Sequence, residues 1–294
     1  MGVGYQGLQL ALLAKRRGAD FSRTITLGRQ NHYLHAGLLR EMFDRFAVPL
    51  ADAAIPDVLR DDFAEGLFRT LGAQRVDSMD ASPYEGATVI HDLNRPIPDT
   101  LKQQYTCVID FGTMEHVFNF PTALKSATDL LEVGGSFLSA TVANNFLGHG
   151  FYQLSPELFM QYLPANGFTD VEIFLVPHRE FPYLFRVADP RRIKDRVELV
   201  NAEPVMMCVL ARKAEHREEA VTPIQSSYAD QFWHGRDVSR EVALPPADPH
   251  IAAVMRDMGQ RVTQLLALPE SISPALVHGF ENSLHYTLVD PAKT

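Results

Sequence analysis

Between Thr24 and Lys213 the chain alternates short β-rich runs with helical patterns. That alternation leaves few folds open, because successive strand-helix-strand units close into a mostly parallel sheet with helices on both faces. The predicted strands are Thr24 to Leu27, Gln74 to Met79, Ala87 to Ile90, Tyr105 to Asp110, Gly135 to Thr141, Val171 to Val176 and Val205 to Ala211. Seven strands over about 190 residues suit one doubly wound α/β domain.

Local signals agree with the pattern. An N-terminal helix is predicted over residues 3–17, with Leu8, Ala11 and Leu12 on one face and Gly18 as terminator. Pro121 to Leu131 reads as a helix ended by Gly134 and Gly135, and Ser155, Pro156 and Glu157 read as N-cap, N1 and acidic first turn. The stretch from Leu27 to Gln74 is about 45 residues, more than one crossover helix needs. A helical insertion is therefore predicted at residues 35–72, with Leu38, Leu39, Met42, Phe43 and Phe46 on a first helix and Leu59, Phe63, Leu67 and Leu71 on a second.

A change of pattern after residue 213 divides the chain into a domain at 1–213 and a C-terminal segment at 214–294. Lys213 to Pro246 is polar, with an aromatic island from Tyr228 to Trp233, and reads as a strap or linker. Ile251, Val254, Met255, Met258, Val262, Leu265 and Leu266 form an apolar helical stripe that docks on the parent domain or, less often, on a second copy as a homodimer.

The 27 Lys and Arg against 36 Asp and Glu give a net charge of -9, which disfavours a nucleic-acid or anionic-lipid partner. No apolar run reaches about 18 residues, so no membrane span is expected. Cys107 and Cys208 lie inside apolar runs and read as core residues of a cytoplasmic protein.

Ligands of an open parallel sheet bind beyond the carboxyl ends of its strands. The first strand leads into Gly28, Arg29, Gln30, Asn31 and His32, where one glycine permits close backbone approach without completing a G-x-G-x-x-G fingerprint. At the second strand, Asp80 stands at the exit and Asp77 on the opposite side; a carboxylate there accepts from both hydroxyls of a ribose. The third leads into His91, Asp92, Leu93 and Asn94, where an acidic side chain can accept from an exocyclic amine. The fourth ends in Asp110, Phe111, Gly112, Thr113, Met114, Glu115 and His116, ionisable groups that face a cleft or pair with one another.

This combination resembles the class I S-adenosylmethionine-dependent methyltransferases. The resemblance rests on Val76 to Ser82, on His91-Asp92-Leu93 followed by Pro96-Ile97-Pro98, and on Tyr105 to Val117 ending in Met-Glu-His-Val. It continues through Leu130-Leu131, Gly134 to Leu138, Ser155 to Leu158 and Asn166-Gly167-Phe168, covering about Thr24 to Lys213. It implies a Rossmann-like seven-stranded sheet whose last strand, Val205 to Ala211, is antiparallel. It implies S-adenosylmethionine as cofactor, with Gly28, Arg29 and Gln30 near the methionine part, Asp80 on the ribose, Asp92 and Leu93 around the adenine, and Phe111, Gly112 and Thr113 as the floor near the sulfonium. Arg29, Gln30 and Asn31 replace the longer glycine-rich turn usual in that family.

Methyl transfer needs aligned attack, desolvation and removal of one proton. His149, between two glycines, is the first candidate base and His116 the second. Phe146, Phe151, Tyr152, His178, Phe181, Tyr183 and Phe185 are expected to line the pocket of a small-molecule acceptor. No His/Cys/Asp/Glu spacing of a zinc or iron site is present, nor is a G-x-S-x-G elbow or a P-loop. The alternatives are a methyltransferase-fold binding or scaffold protein without catalysis and, behind it, a nicotinamide-dependent oxidoreductase, which needs two further glycines after Gly28.

Overall fold

The computed structural model describes residues 2–229, 277, 279–280 and 282–293. Its strands are β1 (Gly2–Val3), β2 (Arg23–Leu27), β3 (Asn31–His32), β4 (Arg75–Asp80), β5 (Val89–Ile90), β6 (Tyr105–Asp110), β7 (Leu131–Asn144), β8 (Phe168–Pro177), β9 (Leu184–Val187), β10 (Val205–Lys213) and β11 (Tyr286–Val289). Nine of them form one sheet in the order β11, β9, β8, β10, β7, β6, β2, β4, β5, while β1 and β3 form a separate parallel pair. The seven expected strands are the body of the larger sheet, and β9 and β11 extend it at one edge.

β6 is buried at every position, as a central parallel strand covered on both sides must be. β2 runs parallel to β4 on one side and β6 on the other, with Leu27 level with Met79 and with Asp110. Because the chain proceeds outward from β2 to β4 and β5 one way, and from β6 to β7 the other, the gap between the ends of β2 and β6 is the topological switch point. β10 is antiparallel to both β7 and β8, in line with the expectation for Val205 to Ala211.

The helices are α1 (Tyr5–Arg16), α2 (Ala36–Arg45), α3 (Ile55–Val58), α4 (Glu65–Thr70), α5 (Phe120–Leu130), α6 (Pro156–Ala165), α7 (Pro190–Ile193) and α8 (Ser226–Ala229). α1 packs on β7 and β10, α5 on β6 and β7, and α6 on β8 and β10. Leu8, Leu10, Leu12 and Leu13 of α1 are all fully buried. Two buried glutamines staple this helix to the end of β8 and the chain that follows: Gln6 Nε2 donates to Pro177 O at 3.2 Å, and Gln9 Nε2 donates to Pro182 O at 3.0 Å.

The insertion holds α2 as expected, but the second expected helix is broken. Phe63 forms an isolated bridge with Asn31, and helix resumes only at Glu65. Gly66 explains the compact join, since a Cβ there would strike the backbone of Asp57 and Val58.

One strand of the C-terminal segment belongs to the same sheet. β11 pairs with β9, Phe280 stacks on Phe185 with centroids 3.9 Å apart, and Asp290 pairs with Arg45 of α2 at 2.8 Å. The stripe from Ile251 to Leu266, and the aromatic island beyond Ala229, lie outside the described residues. Among the described residues no helix is long and apolar enough to cross a membrane.

Candidate functional site

At the switch point the turn after β2 is tightly drawn. Gly28 has φ +69°, and a Cβ there would stand 2.8 Å from Thr113 Oγ1. Thr113 Oγ1 and Gln30 Nε2 both donate to Leu27 O, at 2.6 and 2.5 Å. Gly28, Gln30 and Thr113 are thus brought together, and the side chains of the last two occupy the turn. Gln30 Oε1 is buried without a hydrogen-bond partner, an acceptor left open beside the glycine. Arg29 is directed elsewhere. Its Nε meets Glu65 Oε1 at 2.7 Å, Nη1 donates to Glu85 O at 2.7 Å, and the guanidinium lies 3.7 Å from the centroid of the Phe63 ring. It ties the insertion to the loop between β4 and β5.

Asp80 is half-buried at the exit of β4. Its Oδ1 accepts from Ser82 N at 3.2 Å, and its other oxygen has no partner among the described residues. Asp77 is committed instead, accepting from Tyr105 Oη at 2.9 Å and pairing with Arg75 at 2.6 Å. His91 N donates to Asp80 O at 2.8 Å, which ties the tips of β4 and β5 together. Asp92 Oδ1 accepts from Asn94 N and Asn94 Nδ2, both at 2.9 Å, and these bonds hold its carboxyl below the usual range. Leu93 is buried, as are Phe111 and Gly112. A Cβ on Gly7 would stand 3.1 Å from the Phe111 ring, so the first turn of α1 lies directly on that ring.

Beyond Phe111 and Gly112 opens a cavity of about 200 Å³. Gly2, Gly4 and Gly7 form one wall, and Glu115, Phe146, His149, His178 and Met206 are among the residues of the others. Glu115 is fully buried in a short 3-10 turn, Met114–His116, whose start is fixed by Asp110: Oδ1 accepts from Thr113 N and Met114 N, and Oδ2 from Ser139 Oγ. Glu115 Oε2 accepts from Thr141 Oγ1 at 3.1 Å, whereas Oε1 is buried without a hydrogen bond and stands 3.9 Å from His149 Nε2.

His149 is carried to that carboxylate by a loop with several anchors. Asn145 Nδ2 donates to Glu203 O at 2.8 Å, Phe146 N donates to Gln153 Oε1 at 2.7 Å, and Phe151 N donates to Glu115 O at 2.9 Å. Gly150, with φ +79°, makes the last contact possible, because a Cβ there would come within 2.8 Å of Glu115 O. The His116 and His149 rings meet edge to face with centroids 4.9 Å apart. Phe146 lies between His149 and His178, 5.8 and 5.3 Å from their centroids.

Burial raises the pKa of both Asp110 and Glu115, and the charge of Asp110 raises Glu115 further. Burial and then the neighbouring His149 lower His116, and the same two causes lower His178. The chemistry of the cavity is that of a buried carboxyl, raised in pKa by its burial, facing an imidazole.

Of the aromatic residues expected around an acceptor, Phe146 and His178 line this cavity. Phe181 and Phe185 are buried core residues, the latter in β9, and Phe151 is largely exposed. The glycine wall of the cavity is the feature that strand-tip reasoning overlooks. Its signal is the spacing of Gly2 and Gly4 ahead of α1 and of Gly7 in its first turn, which lets chain and ring approach without side chains between them.

No protein-family profile matches the chain, and no curated protein does. Solved structures similar to it include a SAM-dependent methyltransferase of Thermotoga maritima, at 16% identity over 71% of this chain and 91% of that one, with a TM-score of 0.32. The 1,6-didemethyltoxoflavin-N1-methyltransferase of Burkholderia thailandensis, solved with S-adenosylhomocysteine, is similar at 14% identity over 72% and 79%, with a TM-score of 0.37. The Haemonchus contortus phosphoethanolamine N-methyltransferase 2, also solved with S-adenosylhomocysteine, is similar at 12% identity over 70% and 52%, with a TM-score of 0.40.

Proposed function

We propose that this chain is an S-adenosylmethionine-dependent methyltransferase acting on an oxygen or nitrogen of a small or medium polar metabolite. The observation that carries the reading is the juxtaposition at the switch point: an uncommitted Asp80 carboxylate oxygen and the open Gln30 acceptor on one side, and the cavity holding Glu115 and His149 on the other. A nucleoside-bearing sulfonium suits this arrangement. Asp80 would accept from the ribose hydroxyls, Leu93 would pack on the adenine, Asp92 would meet its amine, and Gln30 Oε1 would accept from the ammonium of the methionine part, with Gly28, Phe111, Gly112 and Thr113 beside it. Arg29 has no role in this account, since its guanidinium serves Glu65 and Glu85.

The cofactor supplies a methyl group on a sulfonium that leaves readily. The chain's own work is to hold the acceptor in line, exclude water and remove one proton. Glu115 Oε1 faces His149 Nε2, so the carboxyl positions the imidazole that takes the acceptor's proton. The separation of 3.9 Å must close by about 1 Å for a full hydrogen bond, a tightening common when substrate binds. Glu115, buried beside a half-buried imidazole, acts through His149. Two buried free thiols, Cys107 and Cys208, support a cytoplasmic setting.

The filled turn favours a second reading. Gln30 and Thr113 take up space beside Gly28, as a fold retained for binding without catalysis allows. His149→Ala tests the first reading: turnover should fall about 10²- to 10⁴-fold while cofactor affinity stays within a few-fold. Unchanged turnover removes His149 from the reaction.

A further inference from the structure

The same cavity wall carries a set of groups that extends beyond the Glu115–His149 pair used in methyl transfer. Glu115, His116 and His149 each offer one ligand atom, and the three atoms lie within 4.8 Å of one another. In sequence the third member is far from the first two, which is why no metal spacing is visible there. The loop anchors that join Phe151 N and Gly150 to Glu115 O bring them together.

Three observations point the same way. Glu115 Oε1 is buried, unpartnered, and aimed at His149. A buried carboxyl oxygen with no donor is costly, and a cation is one of the few groups that relieves the cost without moving the backbone. The second acid, Asp110, is fully buried behind it, and among the described residues neither carboxyl has a lysine or arginine within ion-pair distance. Finally, the set has an outer layer: Thr141 Oγ1 orients Glu115 through Oε2, and Asp110 holds the turn that carries both Glu115 and His116.

We infer that Glu115, His116 and His149 form a site for one divalent transition-metal ion, with its remaining coordination positions open to the cavity. Two imidazole nitrogens and one carboxylate oxygen suit zinc, cobalt or iron(II) better than magnesium or calcium, which prefer oxygen alone. The present spread of ligand atoms needs a contraction of about 1 Å to reach bonding distances near 2.1 Å, within reach of a half-buried loop histidine and an exposed His116. An imidazole bound through Nε2 keeps its remaining proton on Nδ1, so an occupied site has no imidazole base. Glu115, His116 and His149 would hold the ion, which would supply Lewis acidity to an acceptor group at its open positions, the proton released there passing to solvent. The ion needs no nucleoside, so its binding is measured separately from methyl transfer, in which it would take the place of the His149 base.

The test is metal binding by the intact chain. Chelator-treated protein is titrated with Co²⁺ followed by visible absorption and with Zn²⁺ by calorimetry. One ion per chain is expected, lost in the double variant His116→Ala/His149→Ala and weakened about 100-fold by Glu115→Gln, which preserves volume. Far-ultraviolet circular dichroism verifies folding; if the double variant fails to fold, His116→Ala, which alters an exposed ring, supplies the same readout. An unchanged ion count in these folded variants, or no ion bound at millimolar Co²⁺ and Zn²⁺, overturns the inference. S-adenosylhomocysteine affinity on the same samples separates the two claims: metal bound without nucleoside defeats methyl transfer alone, and nucleoside bound without metal defeats the metal site alone.

Discussion

Glu115 sets the electrostatics of the site. Its pKa is raised from 4.5 to about 8, chiefly by burial and then by the Asp110 charge. A raised acid pKa means that the folded chain keeps a proton the unfolded chain has released, so its stabilising effect is complete below 4.5 and is lost as pH rises toward 8. Asp110 acts in the same direction. Glu115→Gln removes the ionisable group while keeping its shape. The stability of this variant relative to the parent should therefore grow between about pH 5 and about pH 8 in urea denaturation. Parallel curves for the two proteins would show that the Glu115 carboxyl is not held neutral by the fold. The sequence marked Glu115, His116 and His149 one by one, from an apolar strand end and a histidine between glycines. Their meeting depends on a contact between two loops, which no local pattern records.

The loop between β7 and α6 decides where His149 sits, and its two glycines do different work. Gly150 has a left-handed backbone and presses on Glu115 O, whereas a Cβ at Gly148 would meet nothing within 4 Å. Gly150→Ala should cost about 1 to 3 kcal/mol and pull His149 from Glu115. Gly148→Ala should leave melting temperature and turnover close to the parent. Equal effects of the two substitutions would contradict the anchoring role given to Gly150. At this scale the central strands were legible because buried parallel strands read as continuous apolar runs, as Tyr105 to Asp110 does. β9 was not: Leu184–Val187 is short, and its Phe185 resembles a pocket aromatic until Phe280 is seen stacked upon it. The second insertion helix failed for a related reason, since the apolar spacing of Leu59, Phe63 and Leu67 carries no sign of the bridge that turns Phe63 toward Asn31.

Across the whole molecule, the strand order puts two different chemistries at one switch point. On one side the tips of β2, β4 and β5 present Gly28, Asp80 and Asp92; on the other the turn after β6 presents Glu115 to a cavity walled by the glycines at the start of the chain and in the first turn of α1. The N-terminal segment takes part through β1, which pairs with β3 at the start of the insertion, and through the glutamines that hold α1 to the end of β8 and the chain that follows. The fold therefore brings chain start, insertion and strand tips to one end of the sheet, where the proposed function places a nucleoside-bearing sulfonium. Calorimetric titration with S-adenosylhomocysteine tests it most directly. Micromolar binding that is lost in Asp80→Ala is expected; absence of binding at millimolar ligand, or equal binding by the parent and Asp80→Ala, would rule out a nucleoside site at these strand tips.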